Sequence, residues 1–98
     1  MAALTEDQIT ARLAELPQWR RDGDTITRTV QAPTFLAGID IVAAAAKAAE
    51  DANHHPDIDI RWRNVTFTLT THDAGNALTA LDFDLAEQID QAAAQHGA

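Results

Sequence analysis

The chain has 98 residues, 46% of them apolar, with 7 Lys and Arg against 15 Asp and Glu, a formal charge of −8 and no cysteine. That length is expected to form one domain over residues 1–98 around one core and leaves no room for a second. The negative balance repels phosphate backbones and argues against a nucleic-acid partner, while the missing thiols exclude disulfides, thiolate metal sites and cysteine nucleophiles.

The first element is a helix. Thr5 has the N-cap position, Gln8 stands three residues on, and Glu6 and Asp7 lie in the positively polarised first turn. Ile9, Leu13 and Leu16 recur at helical spacing until Pro17 stops the run. Trp19 to Arg21 and Thr25 to Val30 flank the turn residues Asp22, Gly23 and Asp24, which predicts a first hairpin. In its second strand Ile26, Arg28 and Val30 do not alternate cleanly with the threonines between them.

Pro33 and Thr34 open a second helix whose predicted apolar stripe is Phe35, Ile39, Val42, Ala46 and Ala49. It should end near Asn53, because Pro56 disfavours helical geometry at the residue before it. The apolar run Ile39 to Ala49 is broken by Asp40 and Lys47 and falls far short of the roughly 18 residues of a membrane span. With no basic and hydrophobic leader at the N-terminus, a cytoplasmic protein without a membrane partner is expected.

Ile58, Ile60 and Trp62 alternate with Asp and Arg, and Val65, Phe67 and Leu69 alternate with Thr, the period-two pattern of strands. With Arg63 and Asn64 as the turn, Trp62 faces Val65, Ile60 faces Phe67 and Ile58 faces Leu69, and Trp62 joins the core. The same count sets His55 opposite His72, with His54 beside them. Asp73 to Asn76 read as a turn-rich loop. A last helix begins near Thr79, which forms a capping-box-like pair with Asp82, and carries Leu81, Leu85, Ile89 and Ala92 or Ala93 on one face. The order helix, hairpin, helix, hairpin, helix predicts an α+β fold, a four-stranded antiparallel sheet with helices packed on one face.

Three imidazoles thus converge at one end of the sheet. Glu50 precedes His54 by four residues, one turn below it if the helix persists that far. Imidazole donates and accepts protons near neutrality, so two on either side of a ligand could remove one proton while delivering another. Taken singly, each histidine, Glu50 and Asp82 has an ordinary reading as a surface or helix-terminal group; convergence is what favours chemistry. Metal binding competes, since three His with Glu or Asp suit zinc or iron, yet adjacent histidines rarely point the same way and no H-E-x-x-H spacing occurs. No glycine-rich phosphate loop is present, and a chain without serine has no Ser nucleophile.

Glu50, three residues, His54 His55 Pro56, the aromatic Trp62, Leu69 Thr70 Thr71 His72, and Asp82 before Leu85 and Ile89 together resemble the pterin-4a-carbinolamine dehydratase family, over about residues 5 to 93. Two features depart from its pattern: the His72 to Asp82 segment is about one residue longer than is common, and Asp57 to Ile60 stand where many relatives carry aromatics. The resemblance implies a hydro-lyase, 4a-hydroxytetrahydrobiopterin dehydratase, which turns the 4a-carbinolamine left by a pterin-dependent aromatic hydroxylase into quinonoid dihydropterin. It implies His54, His55 and His72 as catalytic residues, and His55, Glu50 and Asp82 as substrate-binding residues. No cofactor and no metal are implied, and a homodimer or homotetramer is. The alternatives are a non-catalytic dimerisation module, the role of an animal member beside a homeodomain transcription factor, and a pterin-binding protein of another pathway.

Overall fold

The computed structural model describes residues 2–98. Helix α1 (Glu6–Ala14) leads into strands β1 (Arg20–Asp22) and β2 (Thr25–Gln31), helix α2 (Phe35–Ala52), strands β3 (Asp57–Arg61) and β4 (Asn64–Leu69), and helix α3 (Ala80–Gln95). The strands form one antiparallel sheet in the order β1-β2-β4-β3, so the second hairpin pairs with the first through β4. The expected architecture is the one found.

Each helix start follows from a side chain that satisfies otherwise orphaned N–H groups. Thr5 and Gln8 form a reciprocal capping box on α1, the Thr34 hydroxyl accepts from Ala37 N–H on α2, and Thr79 and Asp82 form a second box on α3. At the far end of α2, Asn53 takes left-handed φ of 49°. Asn53 N–H donates to the Glu50 carbonyl at 3.1 Å and His54 N–H to the Ala49 carbonyl at 3.0 Å. This is a Schellman close, tolerated by Asn because its short polar side chain suits left-handed backbone. It turns the chain sharply before Pro56.

One face of the sheet carries Ile26, Val30, Val65, Phe67 and Leu69, each 1% exposed or less, against Ile41 and Ala45 of α2 and Phe83, Leu85 and Ile89 of α3. Burying Phe67 alone contributes about 3 kcal/mol before entropy is counted. Arg28 belongs to this same face, which is why β2 reads as an imperfect alternation. Its guanidinium is paired with Asp90 of α3, whose Oδ1 also accepts from Trp19 Nε1 at 2.8 Å. The opposite face is polar, with threonine hydroxyls bonded across strands, Thr29 to Thr66 at 2.8 Å. Arg12 ties α1 to Asp84 of α3 at 3.0 Å. An exposed ion pair joins Glu6 of α1 to Arg21 of β1; the hydrogen bond and charge of Arg21 hold the Glu6 carboxyl below its ordinary range.

Three sequence expectations need correction. The second hairpin is displaced by two residues: Arg61 pairs with Asn64, Ile60 with Val65 and Ile58 with Phe67. Its loop is Trp62 and Arg63, Trp62 taking φ of 53°. Trp62 consequently leaves the core and is 70% exposed, its ring under the Arg63 guanidinium at 4.7 Å. In α2 the buried stripe is Gly38, Ile41, Ala45 and Ala49, whereas Phe35 is exposed. The small residues of that stripe allow close approach to α3 and the sheet, which larger ones at the same spacing would prevent.

Candidate active site

The end of α2 and the end of β4 meet at one side of the sheet. The Schellman close delivers His54 and His55, and the chain leaving β4 delivers Thr71 and His72. These residues, with Asn53, Asp73 and Leu81, line a cavity of about 300 Å³, the size of a small-molecule site. The three histidines singled out from sequence therefore come together, although by a register two residues from the one predicted.

They occupy different environments. His54 is 7% exposed, and its Nε2 lies 2.7 Å from Asp82 Oδ1. Asp82, with no exposed surface, does not line the cavity but sits behind His54. Its Oδ2 accepts from Thr79 N–H at 2.9 Å and from the Thr71 hydroxyl at 2.8 Å. His72 is exposed, and its Nδ1 lies 2.7 Å from the Asn76 side-chain oxygen. With the amide oxygen as acceptor, Nδ1 is the donor and Nε2 is left without a protein partner.

His55 is open to solvent. Glu50 is beside it rather than beneath His54, with 3.6 Å between His55 Nε2 and Glu50 Oε1 and the carboxylate side chain 77% exposed. The helix ends before it can stack Glu50 under His54, so the expected one-turn relationship is replaced by this looser pairing. Among the described residues, no three His, Asp or Glu side chains are grouped so as to hold a metal ion. Nor is any helix long and apolar enough to cross a membrane.

Thr71, Asn76 and Leu81 were not among the sequence candidates. Asn76 carries a faint signal, being an Asn in a turn-rich loop four residues after a histidine. Thr71 carries none beyond its place next to His72.

Chemically, the site offers a buried imidazole backed by a carboxylate, a solvent-facing imidazole fixed by an amide, and a third imidazole at the rim. Residues 2–92 match the family model described as pterin 4 alpha carbinolamine dehydratase. The chain belongs to the pterin 4 alpha carbinolamine dehydratase family. A relative from Nocardia farcinica, provisionally named pterin-4-alpha-carbinolamine dehydratase, is 60% identical over 90 residues that span 92% of this chain and 94% of the relative. A relative of the same provisional name from Mycobacterium tuberculosis (strain ATCC 25618 / H37Rv) is 51% identical over 92% of this chain and 95% of its own.

Among solved structures, the "transcriptional coactivator/pterin dehydratase from Brucella Melitensis" superposes with a TM-score of 0.88 at 31% identity, over 93% of this chain and 98% of that one. A pterin dehydratase-like protein described as a RuBisCO assembly factor in the alpha-carboxysome shares the fold at a TM-score of 0.67, with 20% identity over 78% of this chain and 89% of its own. Membership of the dehydratase family thus rests on almost the whole chain, including both arms of the cavity.

Proposed function

We propose that this chain, as one domain over residues 1–98, dehydrates 4a-hydroxytetrahydropterin to quinonoid dihydropterin by histidine acid/base catalysis. The observation that carries the reading is the placement of His54, His55 and His72 around one cavity in a chain of this family. The C4a–O bond breaks as an imidazolium protonates the departing oxygen, which leaves as water. The N5 lone pair forms the C4a–N5 double bond as a neutral imidazole takes the N5 proton. His54 and His72 share these two transfers, and exchange with solvent at the exposed His72 and His55 restores a proton to the acid and removes one from the base. His55 also holds the pterin at the rim. Glu50 acts through His55, and Asp82 through His54 rather than by touching substrate. No metal or redox cofactor enters the reaction, which regenerates pterin for an aromatic hydroxylase in the cytoplasm.

A homodimer or homotetramer is part of the same reading. It is supported by the edge strand β3, which leaves Ile58 36%, Ile60 40% and the neighbouring Trp62 70% exposed, an apolar rim that a single copy does not cover. Those residues, with Phe35 and Leu36, also supply the surface that an interaction module would use. A monomer by light scattering at micromolar concentration contradicts the oligomer.

Stopped-flow absorbance of carbinolamine generated in situ tests the activity. Loss of the carbinolamine is expected to be faster with the protein than without it, and this acceleration to disappear in a His54→Ala, His72→Ala double variant. Equal rates with and without the native protein would overturn the reading and leave the interaction module. Chelation with EDTA is expected to leave the rate unchanged, whereas a large loss would restore the metal alternative.

A further inference from the structure

The buried side of the cavity holds more polar order than a histidine–carboxylate pair requires. The Thr71 hydroxyl is 2.7 Å from the Thr79 hydroxyl and 2.8 Å from Asp82 Oδ2. Thr71 is 3% exposed and Thr79 is not exposed at all. Leu81 N–H donates to Thr79 Oγ1 at 3.2 Å. Thr71 gives its one proton to the Asp82 carboxylate, so the contact between the two hydroxyls must use the proton of Thr79. Thr79 accepts from Leu81 and donates to Thr71, and Thr71 donates to Asp82. Each hydroxyl has one proton, and each is used.

Asp82 then has two donors on Oδ2, Thr79 N–H and Thr71 O–H, and the His54 imidazole against Oδ1. A carboxylate so supplied is fixed in place, and as an anion it only accepts. His54 Nε2 must therefore carry a proton. Nδ1, which has no protein partner, becomes the bare nitrogen. It is not sealed in: the only buried side-chain nitrogens and oxygens without a partner among the described residues are Arg28 Nε and Arg63 Nε. Nδ1 thus keeps accessible surface on a residue that lines the cavity.

We infer that Thr71 and Thr79 are positioning residues whose linked hydroxyls fix Asp82, and through it hold His54 in the Nε2–H tautomer with its Nδ1 lone pair turned to the ligand. In the dehydration proposed above, on which the kinetic part of this inference rests, His54 is then the base. Its Nδ1 takes the N5 proton, and the imidazolium that forms lies against the Asp82 carboxylate, which stabilises its charge without taking its proton. Carboxylates serve histidine bases in this way in hydrolytic sites, where substitution by an amide presents the wrong tautomer. The proton for the departing oxygen comes from His72, the solvent-facing ring.

The test uses the whole protein labelled with 15N at histidine, in its native form and as Thr71→Val and Thr71→Ser. Long-range 1H–15N correlation is expected to show neutral native His54 only as the Nε2–H form, a mixture in Thr71→Val, and a return to one form in Thr71→Ser. In the stopped-flow assay kcat falls about tenfold in Thr71→Val with KM within about twofold, and Thr71→Ser regains most of it. If Thr71→Val does not fold, Thr71→Ala replaces it with the same expectations. A native Nδ1–H tautomer overturns the inference, as does a hydroxyl-free variant with native tautomer and native kcat. Native protein that shows the Nε2–H form but no dehydratase activity removes the proposed reaction instead, and the tautomer measurement is then read alone.

Discussion

His72 and Asn76 are joined four residues apart, ring Nδ1 to amide oxygen at 2.7 Å, across a backbone that is left-handed at both Gly75 and Asn76. The short turn after His72 thus aims an exposed ring that lines the cavity. Asn76→Gly keeps the backbone conformation and removes the amide. It is expected to lower kcat about tenfold, within the range that positioned proton transfer contributes, with unchanged far-UV circular dichroism. Asn76→Asp keeps an acceptor and most of the activity. Equal kcat in Asn76→Gly and the native protein would separate this bond from catalysis.

Glu50 makes a contrasting case. Its carboxylate is 3.6 Å from His55 Nε2 with both side chains largely exposed, and such pairs are worth little in water. Glu50→Gln is expected to change kcat/KM by less than about fivefold, and the difference should shrink further in about 0.5 M salt. A loss of a hundredfold or more would mean that the carboxylate touches substrate.

Asp90 serves stability. It accepts from Trp19 Nε1 at 2.8 Å and pairs with Arg28, which lies on the inner face of the sheet with 11% of its side chain exposed. Asp90→Ala strands both donors and is expected to cost about 3 kcal/mol in urea unfolding, while Asp90→Asn costs less because one acceptor survives. A change below about 0.5 kcal/mol for the alanine variant would show that water replaces the carboxylate without penalty.

Glu6 gives a pH signature. Arg21 lowers the folded-state value of its carboxyl through a hydrogen bond and its charge. The contribution is therefore present above the carboxyl's unfolded value and lost as the pH falls through the lower folded one. Melting temperatures of the native protein and Glu6→Gln should differ slightly at neutral pH and converge on acidification. A gap that persists in strong acid would contradict the pairing.

Much of this was legible in the sequence because it depends on local chemistry. Thr5, Thr34 and Thr79 announce helix starts, and the threonine-alternating β4 announces a strand with one buried face. The register of the second hairpin was not legible, for a specific reason. A slip of two residues leaves Ile58 and Ile60 on the same face as Val65 and Phe67, so alternation scores both registers equally and only the turn decides. Arg63 and Asn64 look like the better turn, yet Trp62 and Arg63 form it.

The buried stripe of α2 is hard to read from sequence because alanines surround it and Phe35 dominates any count of apolar weight. The convergence of histidines survived the slip because the Schellman close at Asn53, rather than strand pairing, places His54 and His55. The Asp82 link to His54 spans 28 residues and has no periodic trace. Only its capping role toward Thr79 is written locally.

The loop that follows His72 is pinned at both ends. Thr71 exchanges two backbone hydrogen bonds with Ala77 at 3.0 and 3.3 Å, and Asp82 clamps the start of α3 to Thr71. Residues between these clips can be added or exchanged without transmitting a displacement to the buried histidine. Changes at Asp73 and Ala74, between His72 and Gly75, are thus confined to a loop whose two ends stay anchored.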